Sequence, residues 1–142
     1  MSEKIKLNTE KLTYEEFKNE ILNDYSIALV SRECSIVGRR EVLTGKAKFG
    51  IFGDGKEVPQ LAMAKAFRNG DWRAGYYRDQ TFMMAIGKLT PEQFFAGLYA
   101  HSDIKKEPSA AGRQMGGHFA THTLNEDGSW KVLKDKYNVS SD

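Results

Sequence analysis

Between residues 13 and 43 the apolar positions fall three and four apart. Tyr14, Phe17, Ile21, Tyr25, Ala28 and Leu29 form a stripe on one face of a helix. Thr13 and Glu16 stand at the two ends of a capping box that opens it. No proline interrupts the run toward Leu43; Gly38 is its weakest point and Thr44-Gly45 its stop. The pattern predicts one long helix with an amphipathic face.

Residues 45–55 are rich in glycine, but Phe49, Ile51 and Phe52 among them indicate an ordered loop with apolar anchors. A second helix is predicted from near Lys56. Pro59 is tolerated in its first turn, small residues from Leu61 to Ala66 suit close packing, and Asn69-Gly70 ends it. Residues 72–76 look extended. Asp79 is placed to cap a third helix through Phe82, Met83, Met84 and Ile86 that ends at Gly87. Thr90-Pro91-Glu92-Gln93 combines a cap, a proline at the first helical position and a capping-box glutamine, so a fourth helix should reach Tyr99 or His101. Beyond His101 neither period continues. Residues 123–142 are polar, with Trp130, Val132, Leu133 and Tyr137 as the sizeable apolar groups, and are expected to be loosely held. The fold expected is mainly α: about four helices plus long loops. A loose arm covers 1–12, a helical portion 13–122 and a polar segment 123–142.

Composition narrows the function classes. With 142 residues the chain has room for one domain, and 40% hydrophobic with 28% charged residues place it outside the disordered class. Twenty-one basic against nineteen acidic residues leave a net charge of +2, too little for a dedicated nucleic-acid or membrane binder. Cys34 is the one cysteine, so no internal disulfide forms and a reduced, cytoplasmic setting fits. No apolar run approaches the roughly 18–20 residues of a membrane span, and the charged N-terminus lacks the apolar stretch of a signal peptide.

Two clusters carry candidate chemistry. Tyr76-Tyr77-Arg78-Asp79-Gln80 puts a guanidinium and two phenols at a helix mouth, a donor set suited to a phosphate or diphosphate. The same residues also read as an ordinary Arg78–Asp79 surface pair beside packed aromatics. Gly112-Arg113-Gln114-Met115-Gly116-Gly117-His118 offers close backbone approach with Arg113 and His118 for charged groups, or else a turn-rich surface loop. Other apparent signals are weak. Gly53-Asp54-Gly55 has no asparagine at the distance a thiamine-diphosphate metal motif needs, and Gly55-Lys56 is followed by glutamate, unlike a phosphate loop. His118 and His122 lack a third and fourth zinc ligand. Cys34 reads as a small core residue.

Read together, Gly55-Lys56-Glu57, Tyr77-Arg78-Asp79 and Gly112-Arg113-Gln114-Met115-x-x-His118 resemble, in order and spacing, the N-terminal part of the E1 α component of thiamine-diphosphate-dependent 2-oxo acid dehydrogenases. The helix Leu89-Thr90-Pro91-Glu92-Gln93-Phe94-Phe95 shares the likeness, which covers residues 13–122. The Gly-Arg-Gln-Met form is more similar to the branched-chain (2-oxoisovalerate) enzymes than to the pyruvate enzymes. The resemblance implies a three-layer α/β cofactor-binding fold in the complete enzyme and oxidative decarboxylation of a branched-chain 2-oxo acid, as in branched-chain amino acid catabolism. The acyl group would pass to the lipoyl arm of an E2 partner. It assigns the cofactor diphosphate to Tyr77 and Arg78. Tyr76 stands where the family often has a cofactor-contacting glutamine. Arg113 and His118 become candidate catalytic residues, Gln114 a cofactor contact, and Phe49 and Phe52 neighbours of the substrate side chain. Magnesium ligands would lie outside this chain, and the activating glutamate in the β component, fused or separate. The chain then reads as the N-terminal piece of a larger, oligomeric enzyme, inactive by itself. A non-catalytic helical interaction module, docking through the Phe49–Phe52 loop or through Arg39, Arg40, Lys46 and Lys48, is the alternative.

Overall fold

A computed structural model describes residues 11–114 and 116–141. The arm expected over 1–12 therefore lies outside the described residues except for Lys11 and Leu12, and so does Met115.

Thr13 accepts from the Glu16 amide and the Glu16 carboxylate accepts from the Thr13 amide at 2.8 Å, so the capping box opens helix α1, Tyr14–Leu43. Helix α2 is Glu57–Ala66 and strand β1 Trp72–Gly75. Helix α3, Gln80–Ala85, is short; helix α4, Pro91–Leu98, starts from the second capping box, Thr90 with Gln93. A strand that the polar composition of 123–142 does not signal, β2, Asn138–Ser141, closes the chain of elements. The mainly helical class holds, with a two-stranded sheet added.

The stripe that marks α1 in the sequence is not the face that α1 buries. Tyr14 is 76% exposed, Tyr25 65%, Phe17 53% and Ile21 50%. The buried face, roughly a third of a turn away at ~100° per residue, carries Ser31, Cys34, Ser35, Gly38 and Glu41. Small groups let the neighbouring elements approach closely. A Cβ at Gly38 would press into the Phe52 ring, and α2, α3 and α4 all contact α1. Polarity on that face is satisfied internally: Ser31 and Thr81 share a hydrogen bond of 2.7 Å, and Tyr99 donates to Glu41 at 2.7 Å.

The apolar core gathers instead around α3. Phe82, Met83, Ile86, Leu89, Phe119 and Val139 are buried together, with Phe67, Phe94 and Tyr137 packed against them. Phe67 meets Phe82 edge-on with centroids 5.1 Å apart. Strand β2 brings Val139 into this core by pairing parallel with β1, Trp72 opposite Asn138 through Gly75 opposite Ser141. The expectation of a loosely held C-terminal segment is thus corrected at its far end. Asn138 is fully buried and its side-chain amide donates to the carbonyls of Asp71, Leu133 and Lys136. Among the described residues no helix is long and apolar enough to cross a membrane.

Candidate functional site

The turn after β1 is built by Asp79. Its carboxylate accepts from the Tyr76 amide at 2.9 Å, while its own amide donates to the Tyr76 carbonyl at 3.1 Å. Asp79 makes no side-chain cap on α3, contrary to the sequence expectation. It is turned instead toward Arg73, whose guanidinium lies buried 5.0 Å over the Phe82 ring and forms an ion pair with it. Burial pushes the Arg73 pKa down, and an acidic neighbour is what a buried cation requires.

The alternative Arg78–Asp79 surface pair does not form, and among the described residues Arg78 has no carboxylate partner. Arg78 is exposed, its guanidinium 5.4 Å over the Tyr77 ring, with one nitrogen donating to the Tyr77 hydroxyl at 3.4 Å. The Tyr76 and Tyr77 rings lie with centroids 3.8 Å apart. Hydrogen bonding to Tyr76, then to Arg78, holds the Tyr77 phenol below its ordinary pKa. At the mouth of α3 the Phe82 amide is taken by the Gln60 side chain at 2.9 Å.

Buried glutamines fix the main chain beneath this cluster. Gln60 donates to the Arg78 carbonyl at 3.0 Å. Gln80 donates to the Ser31 carbonyl and to the hydroxyls of Ser31 and Ser35, and accepts from the Gly53 amide at 3.4 Å. These contacts tie α1, α2, α3 and the glycine-rich loop to one another. The loop itself is held by Arg32, which grips Glu57 through two hydrogen bonds of 2.7 and 2.8 Å. That fork, ahead of the partly opposing effect of burial, lowers the Glu57 pKa to about 2. Glu57 also accepts from the Gly55 amide, which explains why Gly55-Lys56-Glu57 stands as a unit.

Tyr77 also lines a cavity with Phe49, Phe52, Phe94, Leu98 and Phe119, in which about 50 Å³ is open to the centres of water-sized molecules. Gly116 and Gly117 form another part of the wall. The structure therefore brings Phe49, Phe52 and Tyr77 together, with Tyr76 and Arg78 adjacent. It does not bring Arg113, Gln114 or His118 to the cavity lining: Arg113 and Gln114 are exposed and His118 is half-buried. Their loop is organised from its start by Glu107, a buried carboxylate accepting from the amides of Ser109, Ala110 and Gly112 at 2.8–3.0 Å. Burial is the largest single influence on this carboxyl and opposes ionisation, but the three amides together bring the net pKa below the ordinary value.

Asp54, in the metal-motif lookalike, is bound by Arg39 at 2.6 Å, and among the described residues no three His, Cys, Asp or Glu side chains converge as metal ligands. Cys34 is buried and its thiol pKa is raised, chiefly by burial. Gln60, Arg73 and Glu107 went unmarked in the sequence because single polar residues at those positions carry no spacing signal. Comparison of the chain with protein-family models, curated proteins and solved structures gives no match.

Proposed function

We propose that the chain is the N-terminal part of the E1 α component of a thiamine-diphosphate-dependent branched-chain 2-oxo acid dehydrogenase, contributing the diphosphate clamp and part of the substrate pocket. The observation that carries this reading is the arrangement around Arg78. Its guanidinium is exposed and stacked on Tyr77, without a carboxylate partner among the described residues, while its near neighbour Asp79 is committed to Arg73. A guanidinium and a phenol side by side fit the oxygens of a diphosphate. Tyr77 also lines an apolar slot with Phe49 and Phe52, suited to the aliphatic end of a branched 2-oxo acid. Bound thiamine diphosphate would supply the chemistry that stabilises the carbanion formed on decarboxylation. This chain would orient the diphosphate through Arg78 and Tyr77 and exclude water from the alkyl group with its phenylalanines. Magnesium ligands, the β component and the lipoyl-bearing E2 partner would all lie outside the chain, and the assembled enzyme would be an oligomer. Roles for Arg113, Gln114 and His118 rest on the resemblance alone, because none of the three lines the slot.

The test is a cofactor titration of the assembled enzyme, following 2-oxoisovalerate-dependent reduction of an artificial electron acceptor. Arg78→Ala is expected to raise the thiamine diphosphate midpoint about ten- to a hundredfold, the equivalent of about 1.5–3 kcal/mol, and to leave the 2-oxo acid requirement nearly unchanged. Tyr77→Phe should act in the same direction but more weakly. An unchanged midpoint for Arg78→Ala removes the reading.

The alternative, a non-catalytic interaction module, draws support from the exposed apolar face of α1. It is favoured if the same titration shows no cofactor dependence while Tyr25→Ser abolishes a partner complex.

A further inference from the structure

The Arg78 carbonyl meets two groups with no role in the clamp proposed above. The first is Gln60, whose residue is 6% exposed. Its carbonyl oxygen accepts from the Phe82 amide at 2.9 Å and its NH₂ donates to the Arg78 carbonyl at 3.0 Å. Phe82 N–H can only donate and the Arg78 carbonyl can only accept, so the two partners fix the orientation of the Gln60 amide. The second is Gly53, which lies so close that a Cβ there would collide with the Arg78 carbonyl oxygen. The Gly53 amide is in turn held by the Gln80 side chain.

We propose that Gln60 is a positioning residue for the anion site. By pinning the Arg78 peptide beside Gly53, it fixes the point and direction from which the Arg78 side chain leaves the main chain, next to Tyr77. The inference rests on the diphosphate-clamp reading and assigns the site a support that touches no ligand. The chemistry required at position 60 is specific. The side chain must donate at one end and accept at the other, at glutamine's reach. A glutamate keeps the acceptor for Phe82 but sets a second acceptor against the Arg78 carbonyl. A methionine keeps the length and loses both bonds.

In the assembled enzyme, Gln60→Glu and Gln60→Met should each raise the thiamine diphosphate midpoint about three- to tenfold. The 2-oxo acid KM, and kcat at saturating cofactor, should stay within about twofold of the parent, because pinning affects cofactor capture and not the later steps. A purely structural role would lower the unfolding midpoint without this split. Gly53→Ala crowds the same carbonyl and should reproduce the split, which keeps the inference testable if a Gln60 variant fails to fold. Arg78→Ala is measured in parallel. A shifted midpoint for Arg78→Ala beside unchanged midpoints for the folded Gln60 and Gly53 variants overturns the positioning role alone. An unchanged midpoint for Arg78→Ala overturns the clamp reading, and the positioning role with it.

Discussion

Glu57 and Glu107 are two buried carboxylates with different work. Glu57 holds the glycine-rich loop through the two-pronged bond with Arg32, and Glu107 folds the later loop by accepting three backbone amides. Both pKa values are lowered, so both residues contribute stability that is present above the unfolded carboxyl value near 4.5 and is lost as pH falls through the folded value. For Glu57 that window runs from 4.5 down to about 2. Arg32 is half in solvent, which screens the pair, so Glu57→Gln should cost about 2 kcal/mol at pH 7. The cost should vanish near pH 2. Urea unfolding at a series of pH values measures it, and a cost that is constant with pH would contradict the ionic account. Glu107→Gln leaves one neutral acceptor where a carboxylate met three donors, and should cost about 1–3 kcal/mol with faster hydrogen exchange at Ser109, Ala110 and Gly112. Neither role was visible in the sequence, because an isolated glutamate looks the same whether it faces water or a backbone turn.

At the scale of elements, the positions of the helices were readable and the faces they bury were not. Thr13 with Glu16 and Thr90 with Gln93 mark two helix starts because capping is local chemistry, complete within four residues. Burial depends on what lies opposite. In α1 the inward face is set by Gly38, Ser31 and Ser35, which admit Phe52 and α3, and hydropathy does not count small or hydroxylated residues as core. The consequence can be tested with paired substitutions. Ile21→Ser and Tyr25→Ser, on the apolar but exposed stripe, should each change unfolding stability by less than about 0.5 kcal/mol. Gly38→Ala, a single methyl, should cost about 1–2 kcal/mol net, because its Cβ meets the Phe52 ring and the overpacking outweighs a helix-propensity gain of roughly 1 kcal/mol. The reverse order in urea titrations would mean that the stripe is covered. The candidate site divides in the same way. Tyr77 with Arg78, and Phe49 with Phe52, stand out in the sequence as aromatic and basic clusters; the Arg73–Asp79 pair that leaves Arg78 without an acid depends on which arginine the turn buries.

For the molecule as a whole, the decisive contact joins segments far apart in the chain. Four residues at 138–141 align with 72–75, and the apolar core is finished by Val139 from β2 and by Phe119 from the long segment between α4 and β2. A four-residue strand is too short for its alternation to stand out from a polar background, and parallel pairing with no local hairpin leaves no turn signal beside it. What fixes the register is a side chain, Asn138, fully buried with its amide group donating to the carbonyls of Asp71, Leu133 and Lys136. These bonds lash the 133–136 turn and the start of β1 to β2. Further bonds join Thr121 and Gly70 to the same strip, Thr121 N–H to the Val139 carbonyl and Gly70 N–H to the Lys136 carbonyl, each at 2.8 Å. Asn138→Asp keeps the shape but turns donors into a carboxylate facing three carbonyl oxygens. It should therefore cost more than about 3 kcal/mol and exceed Asn138→Ala, which leaves the carbonyls unpaired without opposing charge. In the parent chain the amides of Thr121, Asn138 and Val139 should exchange slowly, all three being hydrogen-bonded across the fold. In Asn138→Asp they should exchange quickly, and trypsin should then cut first at Lys131, Lys134 or Lys136. Fast exchange at those amides in the parent would mean that β2 does not hold the far end of the chain against the core.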